Sequence, residues 1–378
     1  MTLPILDKKY LKMAPCLIDG PLSQAGIKLV TELKLLGNST MAVALRAWAA
    51  AFLYNEMEKA LADESDPTGV VLASFTTVLD RSENMRSLIN GLDRISSLDN
   101  RQQDQSEVGF DHFGTLFTRN ISERFWQQPY NQLAERLKRN GVDLDMFKDA
   151  TVIDIGCGSG RNTFVLKDLG AKKVIGIDVS QAGIALAQKR QKELGITDNL
   201  EFRVASALQL PFDDNSFDIT FSMGVFHHTP DWKKGFSEMY RVTKPHGTGL
   251  LMYLNEKPGG LCYDVIEILR CIVDGDNQRA IQNALETLDI SSPTIIKILD
   301  PLLCEINTML TTQDIEQELN LLGAENVKRF NRGSDSDHIE KIKNNFPHAQ
   351  EKFGVGEQRY IFTKSDLAME TRQNPNRE

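Results

Sequence analysis

Cysteine is scarce and unpaired in this sequence. Five occur among 378 residues (Cys16, Cys157, Cys262, Cys271 and Cys304), none in a C-x-x-C pair. That spacing argues against a structural zinc site and fits a reducing compartment, the cytoplasm. Long apolar runs are missing as well. A membrane-spanning helix needs roughly 20 consecutive apolar residues. The most apolar stretch, Met41 to Tyr54, contains Arg46 and reads as a buried helix. Asp7, Lys8 and Lys9 precede any apolar run, so no secretory leader is expected. Positive charge is in deficit, with 43 Lys and Arg against 52 Asp and Glu and a net charge of −9. Nucleic-acid footprints are usually basic, and Lys138-Arg139 and Lys233-Lys234 are too sparse to form one. No internal repeat is present. The remaining composition, 41% apolar and 25% charged, is that of a globular protein, and the length calls for two or more units.

The most informative segment is Thr151 to Asn162, T-V-I-D-I-G-C-G-S-G-R-N. Val152, Ile153 and Ile155 form an apolar run that needs cover on both faces, as a central parallel strand does. Gly156, Gly158 and Gly160 allow a sharp turn and a close approach of a ligand to bare backbone. Arg161 onward reads as a helix whose free N–H groups point into the same crevice. The segment therefore reads as a nucleotide-type cofactor site at the carboxyl end of a strand. A dinucleotide fingerprint, G-x-G-x-x-G, would need a third glycine where Arg161 stands. The spacing here is G-x-G-x-G, with Asp154 two residues before the first glycine.

Later segments follow in order. Lys173 to Val179 (K-V-I-G-I-D-V) is a second apolar strand, and Ser180 caps the helix after it. Asp178 ends this strand about 20 residues past the glycines, the spacing for a carboxylate that accepts ribose hydroxyls. Leu200 to Ala207 (L-E-F-R-V-A-S-A) comes next, then L-P-F-D-D-N-S-F-D-I-T-F-S-M-G-V-F-H-H, then Glu238 to Gly247 (E-M-Y-R-V-T-K-P-H-G). With D-I-G-C-G-S-G and these segments in register, the chain resembles the class I S-adenosylmethionine (SAM)-dependent methyltransferases. Within them it is similar to the type 11, ubiquinone-biosynthesis-methyltransferase-like group. The resemblance covers about residues 110–364, with its specific motifs between Val152 and Gly247.

The resemblance implies an α/β fold, a Rossmann-like doubly wound seven-stranded sheet whose last strand is antiparallel. It implies S-adenosyl-L-methionine as cofactor, held around Asp154, Gly156, Cys157, Gly158, Gly160, Asp178, Val179, Ser206, Ala207, Leu208 and Met223. Asp154 is read as organising the methionine amino group directly or through water, or else as a strand-end hydrogen bond. Cys157 suits the turn as a small residue. Ser206 departs from the family, which often has an acid there to accept from the adenine amino group. A neutral hydrogen bond contributes about 0.5–1.5 kcal/mol, so a weaker adenine contact is expected, shared with backbone around Leu208.

Methyl transfer from a sulfonium is an in-line displacement. The protein must align the nucleophile, exclude water and remove a proton from O–H or N–H acceptors; no metal is required. His227 and His228, at the end of the fourth strand, are candidates for that proton. The alternative is that they brace the loop. Tyr253, beside Asn255 at the end of strand five, is a further pocket candidate. Arg332 and Arg359 read either as a clamp for an acidic substrate or as ion-paired surface residues. Asp213-Asp214 reads as a solvated turn and Asp231 as a helix cap.

The organisation expected is a helical N-terminal region over 1–105, for interaction, dimerisation or a lid, then a methyltransferase domain over 106–364. Ile27 to Leu36 shows helical spacing with Gly37-Asn38 as its stop, and Ser39 or Thr40 starts a helix towards Ala62. Val70 to Leu98 continues helically, weakly interrupted at Gly91, before a polar linker at 99–107. Phe110, Phe113, Phe117, Phe125, Trp126 and Tyr130 either pack on the sheet or form a lid over the sulfonium. They precede a helix from Asn131 to Asn140. After strand five, residues 255–310 form an insertion of amphipathic helices, a substrate cap. Thr311 or Thr312 starts the helix after it, and 365–378 is a polar tail. The leading function is methylation of a small-molecule acceptor. The alternatives are an RNA or protein methyltransferase, and a non-catalytic SAM-binding protein acting through the N-terminal helices. Against the former, the region after strand four lacks N/D-P-P-Y and a cysteine nucleophile.

Overall fold

The structure, a computed structural model, describes residues 22–96, 123–288, 290 and 292–366. The expected linker at 99–107, Phe110, Phe113, Phe117, the side chain of Phe125 and the tail beyond residue 366 lie outside the described residues. In chain order the helices α1 (Ser23–Lys34), α2 (Thr40–Ala62), α3 (Pro67–Ser96) and α4 (Glu123–Arg139) come first. Next are β1 (Thr151–Ile155), α5 (Arg161–Asp168), β2 (Lys173–Asp178), α6 (Gln181–Glu193), β3 (Leu200–Val204), β4 (Phe217–Ser222), α7 (Trp232–Val242) and β5 (Thr243–Leu254). The chain continues through α8 (Gly260–Val273), α9 (Gln278–Thr287), α10 (Ser292–Leu303) and α11 (Thr312–Leu322). It closes with β6 (Ala324–Arg329), α12 (His338–Lys343), α13 (Ala349–Phe353) and β7 (Gln358–Lys364). The described residues fall into two compact units: a sheet unit within Gly109–Pro258, Glu305–Asn344 and Val355–Glu378, and a helical unit within Met1–Val108, Gly259–Cys304 and Asn345–Gly354.

The sheet unit is built on seven strands in the order β3-β2-β1-β4-β5-β7-β6. β1 to β5 run parallel, and β7 is antiparallel to both β5 and β6. Apolar runs become central strands because both faces are covered. Val152, Val174 and Phe221 pack with Phe164, Leu166 and Ile184 of α5 and α6 on one face. Ile153, Ile155, Ile175 and Ile177 pack with Phe236 and Met239 of α7 and Ile315 of α11 on the other. Strand alternation thus puts Asp154 on the face of Val152, buried at the carboxyl end of β1. Caps fix the helix starts: Ser180 accepts from Gly183 N–H, Asp231 from Lys234 N–H, and Thr311 forms a capping box with Asp314.

Two helix extents depart from expectation. α4 begins at Glu123, ahead of the expected Asn131, and runs through Pro129. On it Trp126 packs edge-on against Phe164 at 5.8 Å and under the Arg190 guanidinium at 5.2 Å, so this aromatic packs onto the unit's core. α3 passes Gly91 without a break over its 30 residues; one glycine costs only about 1 kcal/mol against alanine.

In the helical unit Ser39 caps α2 by accepting from Ala42 N–H. Arg46 is buried there: its guanidinium donates to both carboxylate oxygens of Asp276 at 2.7 and 2.5 Å and to the Gly37 carbonyl at 2.7 Å. α8 was expected to be amphipathic. Instead every residue from Leu261 to Val273 except Asp264 is buried, with Glu267 beside Arg270 and the Arg270 guanidinium donating to the carbonyls of Pro301 and Cys304. Among the described residues, no helix is long and apolar enough to cross a membrane.

Candidate functional site

Strand order reverses between β1 and β4, with β2 and β3 to one side and β5, β7 and β6 to the other. The crevice outside the carboxyl ends of those two strands is where doubly wound sheets hold ligands. Two turns meet there. One is the glycine turn after β1; the other is Met223 to Thr229 after β4, which includes the 3₁₀ turn Phe226–His228.

The glycine turn is shaped by its own backbone. The N–H groups of Gly156 and Cys157 both donate to the Ile177 carbonyl, at 2.8 and 2.9 Å, and Gly160 N–H donates to the Cys157 carbonyl at 2.8 Å. All three glycines have φ between +53° and +85°. A Cβ on Gly156 would overlap the Val225 side chain, and one on Gly160 would lie 2.8 Å from the Phe202 ring. At Gly158 an added Cβ would meet nothing within 4 Å among the described residues, so this is the open side of the turn. Cys157 is turned inward: its Sγ faces Gly176 of β2, and burial pushes the thiol well above its ordinary range. It is a packing group.

Asp178 ends β2 facing this turn. Its Oδ2 accepts from Gly158 N–H at 2.8 Å and its Oδ1 from Ser180 N–H at 2.8 Å. A carboxylate has about four acceptor positions, and these two bonds use one on each oxygen. Val179 follows it, 59% exposed although apolar, and Val204, its counterpart at the end of β3, is 55% exposed. Asp154 is 1% exposed and accepts from Thr163 Oγ1 of α5 at 2.6 Å. Burial, and secondarily the nearby Asp178 charge, pushes its carboxyl up to about 7 against the Thr163 hydrogen bond. Sequence reasoning missed Thr163. Its only signal was a polar residue among the buried Phe164, Val165 and Leu166, nine positions after Asp154.

Ser206 is exposed, and its Oγ accepts from Leu208 N–H at 3.2 Å, which occupies one of the backbone groups expected to share an adenine contact. Ala207 is buried in the core beneath that turn. Met223 receives the Asn162 amide on its sulfur at 3.4 Å. Asn162 is a second residue the sequence did not single out.

His227, His228 and Tyr253 lie together. The two imidazoles are 4.0 Å apart, and the Tyr253 ring meets His227 edge-on at 5.8 Å. His227 is 1% exposed, and its Nδ1 has no hydrogen-bond partner among the described residues. Burial, with His228 adding to it, holds the His227 ring well below the usual histidine range, so it stays neutral. His228 is half-buried, and its Nδ1 lies 2.9 Å from the Ile306 carbonyl. Thr308 N–H donates to the His227 carbonyl, Leu310 N–H to the Asn255 carbonyl, and Asn255 bonds Asn307 through their side chains. Residues 306–310 are thus strapped across the ends of β4 and β5. Pairs so far apart in sequence carry no local signal.

The two arginines weighed as a substrate clamp are held internally. Arg332 donates to both oxygens of Glu340 at 2.8 and 2.9 Å. Arg359, 2% exposed, pairs with Asp337 at 3.2 Å and Glu357 at 3.5 Å. Asp214 pairs with Arg241 at 2.7 Å.

Residues 153–251 match the model of a methyltransferase domain. The methyltransferase GfsG of Streptomyces halstedii is 30% identical over 138 residues, 35% of this chain and 50% of that protein. A ubiquinone/menaquinone biosynthesis C-methyltransferase of Rickettsia bellii is 31% identical over 38% of this chain and 62% of its own length. A demethylmenaquinone methyltransferase of Lactiplantibacillus plantarum is 36% identical over 29% of this chain and 46% of its own. The chain therefore spans about half the length of the curated relatives it matches. With the matched motifs lying at the reversal point of a seven-stranded sheet with one antiparallel strand, the chain carries a class I S-adenosylmethionine-dependent methyltransferase domain.

Proposed function

We propose that this protein transfers a methyl group from S-adenosyl-L-methionine to a small-molecule acceptor at the carboxyl ends of β4 and β5. The observation that carries the reading is the open face of Gly158, with the Asp178 carboxylate and the exposed Val179 side chain beside it. A donor with ribose hydroxyls and a flat purine ring suits that surface. In this reading Asp178 accepts the ribose hydroxyls, and Asp154, steadied by Thr163, meets the methionine amino group. Val179, Ala207 and Leu208 line the adenine with Ser206 accepting at its edge. Gly156, Cys157, Gly158 and Gly160 shape the turn, and Met223 flanks the sulfonium. When bound, the donor supplies a methyl carbon already activated by positive sulfur. The chain then has to align the acceptor, exclude water and handle a proton.

A small acceptor is supported by relatives whose names place them in quinone biosynthesis. Five cysteines without a C-x-x-C pair support a cytoplasmic setting. The N-terminal helical region (1–105) is read as an interaction, dimerisation or lid region and 255–310 as a substrate cap. Light scattering across a concentration series tests the dimer. The decisive test of function has two arms. Calorimetry should detect S-adenosylhomocysteine binding. Labelled SAM with a deproteinised metabolite extract should yield a methylated product identified by mass spectrometry. Binding without any product would leave a SAM-binding protein; no binding at millimolar ligand would remove the reading.

A further inference from the structure

The sheet ends in β3 on one side and β6 on the other. An edge strand presents a row of N–H and C=O groups with which a strand of another chain can pair. At β3 the register fixes which groups these are. Val174 N–H donates to the Asn199 carbonyl, and Ala205 N–H donates to the Asp178 carbonyl. Backbone groups alternate sides along a strand. The Leu200 and Phe202 carbonyls, with the Phe202 and Val204 N–H groups, therefore point away from β2. Both of those carbonyls are occupied. Gln191 Nε2 of α6 donates to Leu200 O at 2.9 Å, and Gln188 Nε2 donates to Phe202 O at 3.3 Å. Helical spacing puts them there, because Ile184, Ala187, Gln188 and Gln191 form one stripe of α6. Ile184 and Ala187 are buried in the same core as Leu200 and Phe202, and the glutamines continue the stripe to the outer side of the strand. The β6 edge is managed by different means. Asn326 there has φ +51° at a break in register between Glu325 and Lys328, a local disruption of the kind that discourages pairing.

β3 carries the composition of a strand that would pair if left open. Phe202 and Val204 are strand formers, and Val204 is apolar yet 55% exposed. The strand's charges do not guard the edge itself. Glu201 and Arg203 alternate with Leu200 and Phe202 and so lie on the opposite face, where they pair with each other at 2.6 Å. We propose that Gln188 and Gln191 are an autoinhibitory guard on this edge. Their amides hold the two acceptors through which β3 of a second copy would pair, and so keep two copies from joining sheet to sheet. The inference concerns assembly and is independent of the methyl donor and its acceptor.

Alanine at both positions removes the two donors and keeps a strong helix former in α6. In the full chain, Gln188→Ala with Gln191→Ala should raise the mass seen by light scattering at least about twofold above the parent's at equal high concentration, as pairing of two edges requires. Exchange of the Phe202 and Val204 amide protons should slow in the same samples. Adding Val204→Pro removes one outward donor, which an edge strand tolerates, and should return the mass to the parent's. A double variant with the parent's mass at every concentration would overturn the proposal. Association that Val204→Pro leaves unchanged would overturn it too, because the contact would then lie elsewhere. A measurement on the parent protein is independent of any variant's folding. Its Gln188 and Gln191 side-chain amide protons should exchange more slowly than those of Gln181, which is exposed on the same helix. Equal exchange would mean that the guard is not in place and would overturn the proposal.

Discussion

The two turns at the sheet's reversal point solve adjoining problems by different means. The glycine turn works through backbone: three positive-φ glycines, amides closed on the Ile177 and Cys157 carbonyls, and one open face at Gly158. The histidine turn works through side chains, with His227, His228 and Tyr253 grouped under a strap from residues 306–310. Backbone demands leave few residue choices, so the glycine turn has a recognisable sequence. The histidine turn was also picked out in sequence, by its two imidazoles, but the distant groups its side chains meet were not.

The largest effect should come where the turns touch. Gly156 has φ +76° and faces the Val225 side chain, which belongs to the histidine turn. Gly156→Val combines backbone strain of about 1–3 kcal/mol with overpacking of about 1–3 kcal/mol. A denaturant melt should show a strongly lowered midpoint, and calorimetry no S-adenosylhomocysteine binding. A stable, binding variant would mean the turns are not joined in this way.

Next in size is Asp178→Ala, which removes the acceptor of Gly158 and Ser180 N–H groups at once. Hydrogen bonds to charged groups contribute about 1.5–3 kcal/mol each, so donor-product affinity should fall at least about tenfold. The histidine turn should be untouched, seen as unchanged His227 and His228 ring signals.

Asp154 gives a pH signature confined to the glycine side. Its folded carboxyl titrates at about 7, whereas an unfolded aspartate titrates near 3.9. The folded state therefore binds the extra proton between these values. Its contribution to stability is whole below pH about 4 and is lost as pH rises to about 7. Urea midpoints of the parent protein should decline over pH 5 to 7 more steeply than those of Asp154→Asn, and the two slopes should match above pH 8. Identical slopes throughout would contradict the buried, protonated state.

The smallest effect is expected for Ser206→Ala. This exposed hydroxyl holds Leu208 N–H, and a neutral bond contributes about 0.5–1.5 kcal/mol. S-adenosylhomocysteine affinity should change by less than about threefold. A larger loss would give Ser206 the standing that an acid has in related proteins.

Much of the sheet unit was readable because its signals are local. The glycine spacing, Asp178 at a strand tip, and the caps at Ser180, Asp231 and Thr311 each lie within a few residues of what they organise. The unread parts depend on distant partners. Arg332 and Arg359 read either as substrate cations or as surface ion pairs, and the choice was open until Glu340, Asp337 and Glu357 were brought beside them. α8 reads as amphipathic from its charges, yet Arg270 satisfies carbonyls of Pro301 and Cys304 and is buried with them. Ile306 has nothing in its own segment to suggest that its carbonyl meets a histidine ring. Such partnerships are decided by tertiary closure.

Arg46 carries a consequence for how the chain is made. Its carboxylate partner, Asp276, lies 230 residues further on, and a buried charge left without its partner is strongly unfavourable. During synthesis that guanidinium must therefore stay solvated until β1 to β5 and then Asp276 have left the ribosome. The helical unit is completed only once its last piece, within Asn345–Gly354, has been made.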